Sequence, residues 1–141
     1  MLSSEETLAN PMLFSPLALA FLGDSYYELL VRRQILAQGN ASANQLHKKA
    51  VRFVCAKGQC LGWQAIEALL DEEETAIFKR GRNANAVKSP KHTNQADYRR
   101  ATGVEALFGY LYLTGRTGRA EELFEKMYHH IEELLELGES L

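Results

Sequence analysis

The 141 residues predict an all-α fold, and three observations carry that reading. The stretch 17–37, LALAFLGDSYYELLVRRQILA, is too apolar to be a strand-and-turn region and too long to be anything but a helix. Three later stretches repeat apolar residues at spacings of 3 and 4, each opened or closed by capping residues. No stretch alternates polar and apolar residues between turn signals.

In chain order, residues 1–10 read as loose, and Pro11 to Phe14 as a short apolar lead-in. Ser15 is placed to cap the first long helix and Pro16 to take its first position, while Gly39 and Asn40 stop it. This helix is expected to run through the middle of the molecule. A second helix starts at Ser42, with Gln45 completing a capping box, and continues through HKKAVRFVCAKGQ with Leu46, Ala50, Phe53 and Val54 inward. A short helix at 62–70 turns Trp63, Ile66 and Leu70 inward. Asp71 caps the next, whose Glu72, Glu73 and Glu74 meet the positive end of the helix dipole and whose Lys79 and Arg80 meet the negative end. Gly81 ends it, and 82–93, RNANAVKSPKHT, reads as a mobile basic loop with almost nothing to bury. A long helix at 94–113 shows an inward face of Ala101, Val104, Phe108, Leu111 and Tyr112, closed by Gly115. The last helix opens at Gly118, with Leu123, Phe124, Met127, Ile131, Leu134 and Leu135 as its apolar stripe.

Composition narrows the class. With 46% apolar and 24% charged residues the chain is globular, and its length suits one domain spanning 1–141. No run reaches a membrane-spanning length, and Glu5 and Glu6 stand where a signal peptide needs basic residues, so a cytoplasmic protein with no membrane partner is expected. Cys55 and Cys60 match neither a disulfide framework nor a zinc site, and His47 has no ligand-type neighbour at a useful spacing.

Net charge is only −2, yet it is segregated. Lys79, Arg80, Arg82, Lys88, Lys91, Arg99 and Arg100 face a single acid, Asp97, in the stretch 79–100. A basic segment in an acidic protein suits a local phosphate-binding surface, with a solvated loop as the alternative.

The polar exceptions on the apolar helices carry the chemistry. Asp24, Glu28 and Arg32 follow at i, i+4 spacing, and Gly23 beside Asp24 implies that a second backbone or a ligand comes close. Asp24 either pairs with Arg32 or another cation, or serves a cleft. Glu105 lies within the inward face of the 94–113 helix, and helices packed about 8–10 Å apart can bring the two carboxylates together. A divalent cation with hard-oxygen preference, Mg²⁺ above all, removes both their repulsion and their desolvation cost. Carboxylate-held Mg²⁺ beside basic residues is what phosphodiester hydrolysis requires.

AFLGDSYYELL around Asp24 and VEALFGYLYLTG around Glu105 resemble the two signatures of the ribonuclease III catalytic domain, in order, over about 17–115. The chain is more closely similar to the compact Mini-III subgroup, with LHKKAVRFVCAKGQ, FKRGRNAN and YRRATGVEALFGYLYL as further landmarks. The resemblance implies a ribonuclease III-like helical domain that cuts double-stranded RNA. Asp24 and Glu105 would be its catalytic, metal-binding residues, with Mg²⁺ as cofactor and Mn²⁺ as a substitute. It implies a twofold homodimer, with Tyr26, Tyr27 or Leu30 among the apolar contacts expected at its interface. Maturation of the large-subunit (23S) ribosomal RNA precursor is the implied task, with a ribosomal protein on the precursor as a possible partner. RNA contacts are expected from Lys79, Arg80, Arg82, Asn83, Lys88, Lys91, Arg99 and Arg100, together with Lys48, Lys49 and Arg52. The chain ends at Leu141 without the separate double-stranded RNA-binding domain of full-length enzymes. Two positions depart from the wider pattern. Ala20 and Thr102 stand where that family has further metal-binding acids, which favours one well-held Mg²⁺ over two and leaves a catalytically silent RNA-binding scaffold as the alternative. Glu28 either assists Asp24 through water or pairs with Arg32.

Overall fold

The computed structural model describes residues 1–84 and 94–138, and within them the fold is all α. Seven α-helices follow one another: α1 (Ser4–Leu8), α2 (Pro16–Ala37), α3 (Ala43–Val54), α4 (Ala56–Ile66), α5 (Glu72–Arg82), α6 (Gln95–Leu113) and α7 (Thr117–Glu136), with 3-10 turns at Pro11–Leu13 and Glu67–Leu69. Capping follows the sequence signals. Ser15 accepts from Ala18 N–H at 3.1 Å, Ser42 and Gln45 close a capping box, and Asp71 and Glu74 close another. Gly115 takes φ +73° behind α6, a left-handed turn that suits glycine.

The middle of the molecule belongs to α6, where every residue from 101 to 111 is buried except Glu105, which is half-buried. The sequence expectation gave that place to α2. Helix α2 instead packs one face on α6 and leaves Phe21, Leu29 and Leu36 exposed, because its apolar residues encircle the helix while the core covers only one side. The two helices cross at closest approach where two glycines meet. A methyl group on Gly23 would collide with the Glu105 carbonyl, and one on Gly109 with the Leu19 carbonyl. The glycine in the Asp24 motif therefore serves a second backbone, one of the two alternatives its position allows. Around this crossing Tyr27 packs edge-on against Phe108 and Phe124, at centroid distances of 5.5 and 5.7 Å. Helix α4 lies across both α6 and α7.

Several sequence expectations shift. Residues 4–8 form a capped helix, with Ser3 and Glu6 in a capping box, where a loose lead-in was expected. The helix expected to run from Ser42 to Gln59 breaks at Cys55, which turns to an extended conformation and caps α4 through its own sulfur, accepting from Gly58 N–H at 3.3 Å. The break in turn requires glycine at 58, since that position lies against the Arg52 carbonyl and admits no side chain. Residues 62–66 thus belong to α4, and Leu70 is only half-buried. Helix α5 passes through Gly81, which is buried against α6, and ends at the cap Asn83. Arg82 and Asn83 are therefore helix-end residues, and the rest of the expected basic loop, 85–93, lies outside the described residues. Tyr112 is 49% exposed, lying against Tyr26 at 5.1 Å, and so flanks the inward face of α6. Among the described residues no helix is long and apolar enough to cross a membrane.

Candidate active site

The first half of α2 and the α6 segment 98–105 form the walls of a cleft of about 220 Å³, lined by Leu17, Ala20, Phe21, Asp24, Tyr98, Thr102 and Glu105. The glycine-mediated crossing sets its floor: Gly23 against the Glu105 backbone holds the neighbouring Asp24 side chain within hydrogen-bonding reach of the Glu105 carboxyl. The two carboxylates that the sequence places on separate helices thus meet. They do not meet as two buried acids, however. Asp24 is exposed at the cleft mouth and Glu105 is half-buried behind it. Desolvation, then the hydrogen bond and charge of Asp24, push the Glu105 carboxyl up to about 8, against a hydrogen bond from Gln59 that lowers it. Arg32 pairs with Glu28 at 3.3 Å, so it is not the structural counter-ion of Asp24.

The chemistry of this donor set fits a hard divalent cation. Both groups are carboxylates, they repel when both ionised, and no histidine or cysteine is among the lining residues. Among the described residues no group of three or more His, Cys, Asp or Glu side chains is placed to hold a metal ion, so the pair would supply part of a coordination sphere, with water and substrate oxygens for the rest. Ala20 and Thr102, the two departures from the wider family pattern, both line this same cleft. The Thr102 hydroxyl is turned back to the Tyr98 carbonyl at 3.0 Å and is not offered to the cleft.

The basic residues separate into groups. Lys79, Arg82 and Arg100 line one groove of about 420 Å³ between α4, α5 and α6, joined by Lys57, with Asp97 and Glu67 also on its walls. Arg82 lies over the Phe78 ring at 5.8 Å and hydrogen-bonds through Nε to Asn83. Arg80 and Arg99 are exposed outside this groove, and Lys88 and Lys91 lie outside the described residues. Lys49 and Arg52 line a different surface with Glu132 and Glu136 of α7, which offset their charge, and Lys48 is exposed beside them on α3. Helix α6 walls both the acidic cleft and the basic groove.

Sequence reasoning missed three residues here. Tyr98 stands four before Thr102 and seven before Glu105, a spacing that places it on the cleft face, and that signal was available. Phe21, three before Asp24, lines the cleft while 82% exposed. Gln59 reaches Glu105 only because the chain breaks at Cys55, which the apolar pattern does not reveal.

The ribonuclease III domain family matches residues 17–116, which hold α2 from its second residue through α6, and therefore both carboxylates and the crossing between them. The chain belongs to the ribonuclease III family. It is 44% identical to the Mini-ribonuclease 3 of Brevibacillus brevis, over 93% of this chain and 98% of that one. It is 47% identical to the Mini-ribonuclease 3 of a Thermoanaerobacter species, over 84% of each. A crystal structure of a Fusobacterium nucleatum protein superposes with a TM-score of 0.72 at 34% identity, over 79% of this chain and 89% of that one. As a ribonuclease III family member the chain is an endoribonuclease, and the Asp24–Glu105 cleft lies within the part that defines the family.

Proposed function

We propose that the chain hydrolyses double-stranded RNA with Mg²⁺ held by Asp24 and Glu105. The observation that carries this is the meeting of an exposed and a half-buried carboxylate across the α2–α6 crossing, where burial and the neighbouring Asp24 push the Glu105 carboxyl up to about 8. Mg²⁺ at this pair, with Mn²⁺ as a substitute, supplies Lewis-acid stabilisation of the phosphoryl group and a more acidic attacking water. Asp24 at the mouth meets the incoming phosphate edge first, and Glu105 fixes the inner side of the site. Leu17, Ala20 and Phe21 form the apolar wall of the cleft beside the two carboxylates.

Lys79, Arg82 and Arg100 hold the RNA backbone in the neighbouring groove, and Arg80, Arg99, Lys88 and Lys91 extend that surface. Because A-form RNA hides its base edges in a deep groove, contacts to phosphates and 2′-hydroxyls dominate. Lys48, Lys49 and Arg52 are secondary in this reading, since α7 glutamates face two of them. Duplex cleavage needs one centre per strand, and a twofold homodimer supplies it. Its contacts would be the exposed apolar residues of α2, Phe21 and Leu29, rather than Tyr26, Tyr27 and Leu30, which are spent in the core at 9%, 1% and 5% exposure. The task that best suits such an enzyme is maturation of the large-subunit ribosomal RNA precursor in the cytoplasm, with a ribosomal protein on the precursor as a further partner.

A second reading, a silent RNA-binding scaffold, draws on Ala20 and Thr102, which leave the cleft with two acids where four would hold two metals. Incubation with a long RNA duplex, with and without Mg²⁺, separates the two: metal-dependent cleavage supports the enzyme, and retention without cleavage supports the scaffold. Neutralising Lys79, Arg82 and Arg100 together should lower the salt slope of duplex binding by about one unit per lost phosphate contact.

A further inference from the structure

Gln59 is a buried polar side chain that packing alone does not explain. It is 2% exposed, and its Oε1 is the one buried side-chain polar atom without a hydrogen-bond partner among the described residues. Its Nε2 donates to the Val54 carbonyl at 3.0 Å. That carbonyl needs a donor because the helix breaks there: Gly58 N–H, which would close the regular helical bond to Val54, turns instead to the Cys55 sulfur at 3.3 Å. The bond fixes which end of the amide is which, since a flipped Gln59 would set one oxygen against another. Nε2 keeps a second proton, and the Gln59 amide, reaching in from α4, is also the hydrogen-bonding group that lowers the Glu105 carboxyl.

We propose that Gln59 is a positioning residue that holds the Glu105 carboxylate turned toward Asp24, ready to receive a divalent cation. The inference rests on the reading of Asp24 and Glu105 as the cation-holding pair. A neutral amide suits this role better than the alternatives. A lysine or arginine at 59 would neutralise Glu105 and compete with the cation, and an apolar residue would leave the carboxylate free to rotate. The unpartnered Oε1 accords with the same demand, because an amide oriented by the Val54 carbonyl and the Glu105 carboxyl is not free to turn its acceptor toward a donor. A side chain present only to fill the core would carry no such mismatched acceptor.

The test uses the full chain and two variants, Gln59→Met, which keeps length and volume without polar atoms, and Gln59→Leu, which keeps the measurement open should the first fail to fold. Binding of Mn²⁺ alone, without RNA, is followed by the electron-spin signal of the free ion, alongside kcat and KM on a duplex and the metal-free thermal midpoint. Mn²⁺ affinity about ten-fold weaker, with kcat lowered and KM unchanged, is the expected result. Wild-type Mn²⁺ affinity and wild-type kcat, with only the midpoint moved, would overturn the proposal and leave Gln59 a core residue. Glu105→Gln is measured in parallel. If it too binds Mn²⁺ like the wild type, the carboxylate-pair reading fails and the inference with it. If it loses Mn²⁺ while both Gln59 variants retain it, the pair stands and only the role of Gln59 falls.

Discussion

Glu74 and Glu105 are two enclosed glutamates that the same fold treats in opposite ways. Glu74 on α5 is fully buried, and Arg119 donates to its two oxygens from Nε and Nη2, each at 2.9 Å, while Arg116 stands 3.6 Å away. Its Oε1 also accepts from Asp71 N–H at 3.0 Å, completing the cap of α5. The Arg119 hydrogen bonds, ahead of the opposing effect of burial, hold its carboxyl below the usual range. Glu105 on α6 has a like-charged neighbour in place of an arginine and is pushed up to about 8. A carboxylate that ties helices together is supplied with its cations by the chain. A carboxylate left among acids and apolar walls marks where a cation from outside belongs.

The contrast breaks most visibly in activity. Asp24→Asn and Glu105→Gln keep size and shape but remove the charge proposed to hold Mg²⁺, so each should abolish duplex cleavage, read on a gel against wild type, with the helical circular-dichroism signal intact. Above about pH 8, where both groups are ionised, their metal-free thermal midpoints should hold or rise, since one of two repelling carboxylates is gone. Retained cleavage would remove both residues from the mechanism. The matching change at the other glutamate should do the reverse. Glu74→Gln should cost about 3 kcal/mol of stability, near the low end for a broken buried pair because Arg119 keeps some access to water, while cleavage per folded molecule is unchanged. A loss of cleavage beyond the loss of folded protein would mean that the two glutamates are not independent.

Titration sharpens the comparison further because the two slopes have opposite signs. Glu105 binds its proton more tightly folded than unfolded, so metal-free protein should lose stability as pH rises from the ordinary carboxylate value of 4.5 to about 8. Glu74 is shifted the other way, and its contribution, present above the unfolded value, should be lost as acid carries the pH down through its lowered folded value. Midpoints across this range for wild type, Glu105→Gln and Glu74→Gln should show the alkaline slope vanishing in the first variant alone. Saturating Mg²⁺ should flatten that slope in the wild type. An alkaline slope that survives in Glu105→Gln would assign it to another group.

This contrast also shows how far the residues alone could be read. The pairing of Asp24 with Glu105 was legible because each is an acid set among apolar residues of a core-packing helix, and Gly23 signalled that something comes close. Glu74 was read only as a dipole-facing acid of a first helical turn, since its partner Arg119 is 45 residues away and no local pattern announces the pair. The helix break at Cys55 escaped for a similar reason: its cap is a thiol, outside the usual capping residues, and the need for glycine at 58 arises from a backbone approach that only the broken chain creates. The exchange of centre between α2 and α6 reflects a limit of composition. An all-round apolar helix looks the same whether its outer face is covered by its own chain or by a second copy.

Glu28 supplies the smallest and most discriminating test, a third carboxylate on the same stripe as Asp24. It lies one turn beyond Asp24, its side chain is 41% exposed, and its partner Arg32 is 59% exposed at 3.3 Å. An exposed i, i+4 pair contributes only about 0.3–0.5 kcal/mol, screened further by salt. Glu28→Gln should therefore move the thermal midpoint barely beyond error and leave both cleavage and Mg²⁺ half-saturation at wild-type values. The residue then belongs with neither glutamate: its charge is met, unlike that of Glu105, and its partner is solvated, unlike that of Glu74. A several-fold rise in the Mg²⁺ needed for half-maximal cleavage would overturn this assignment, and would extend the cation site one turn along α2 through a water held by Glu28.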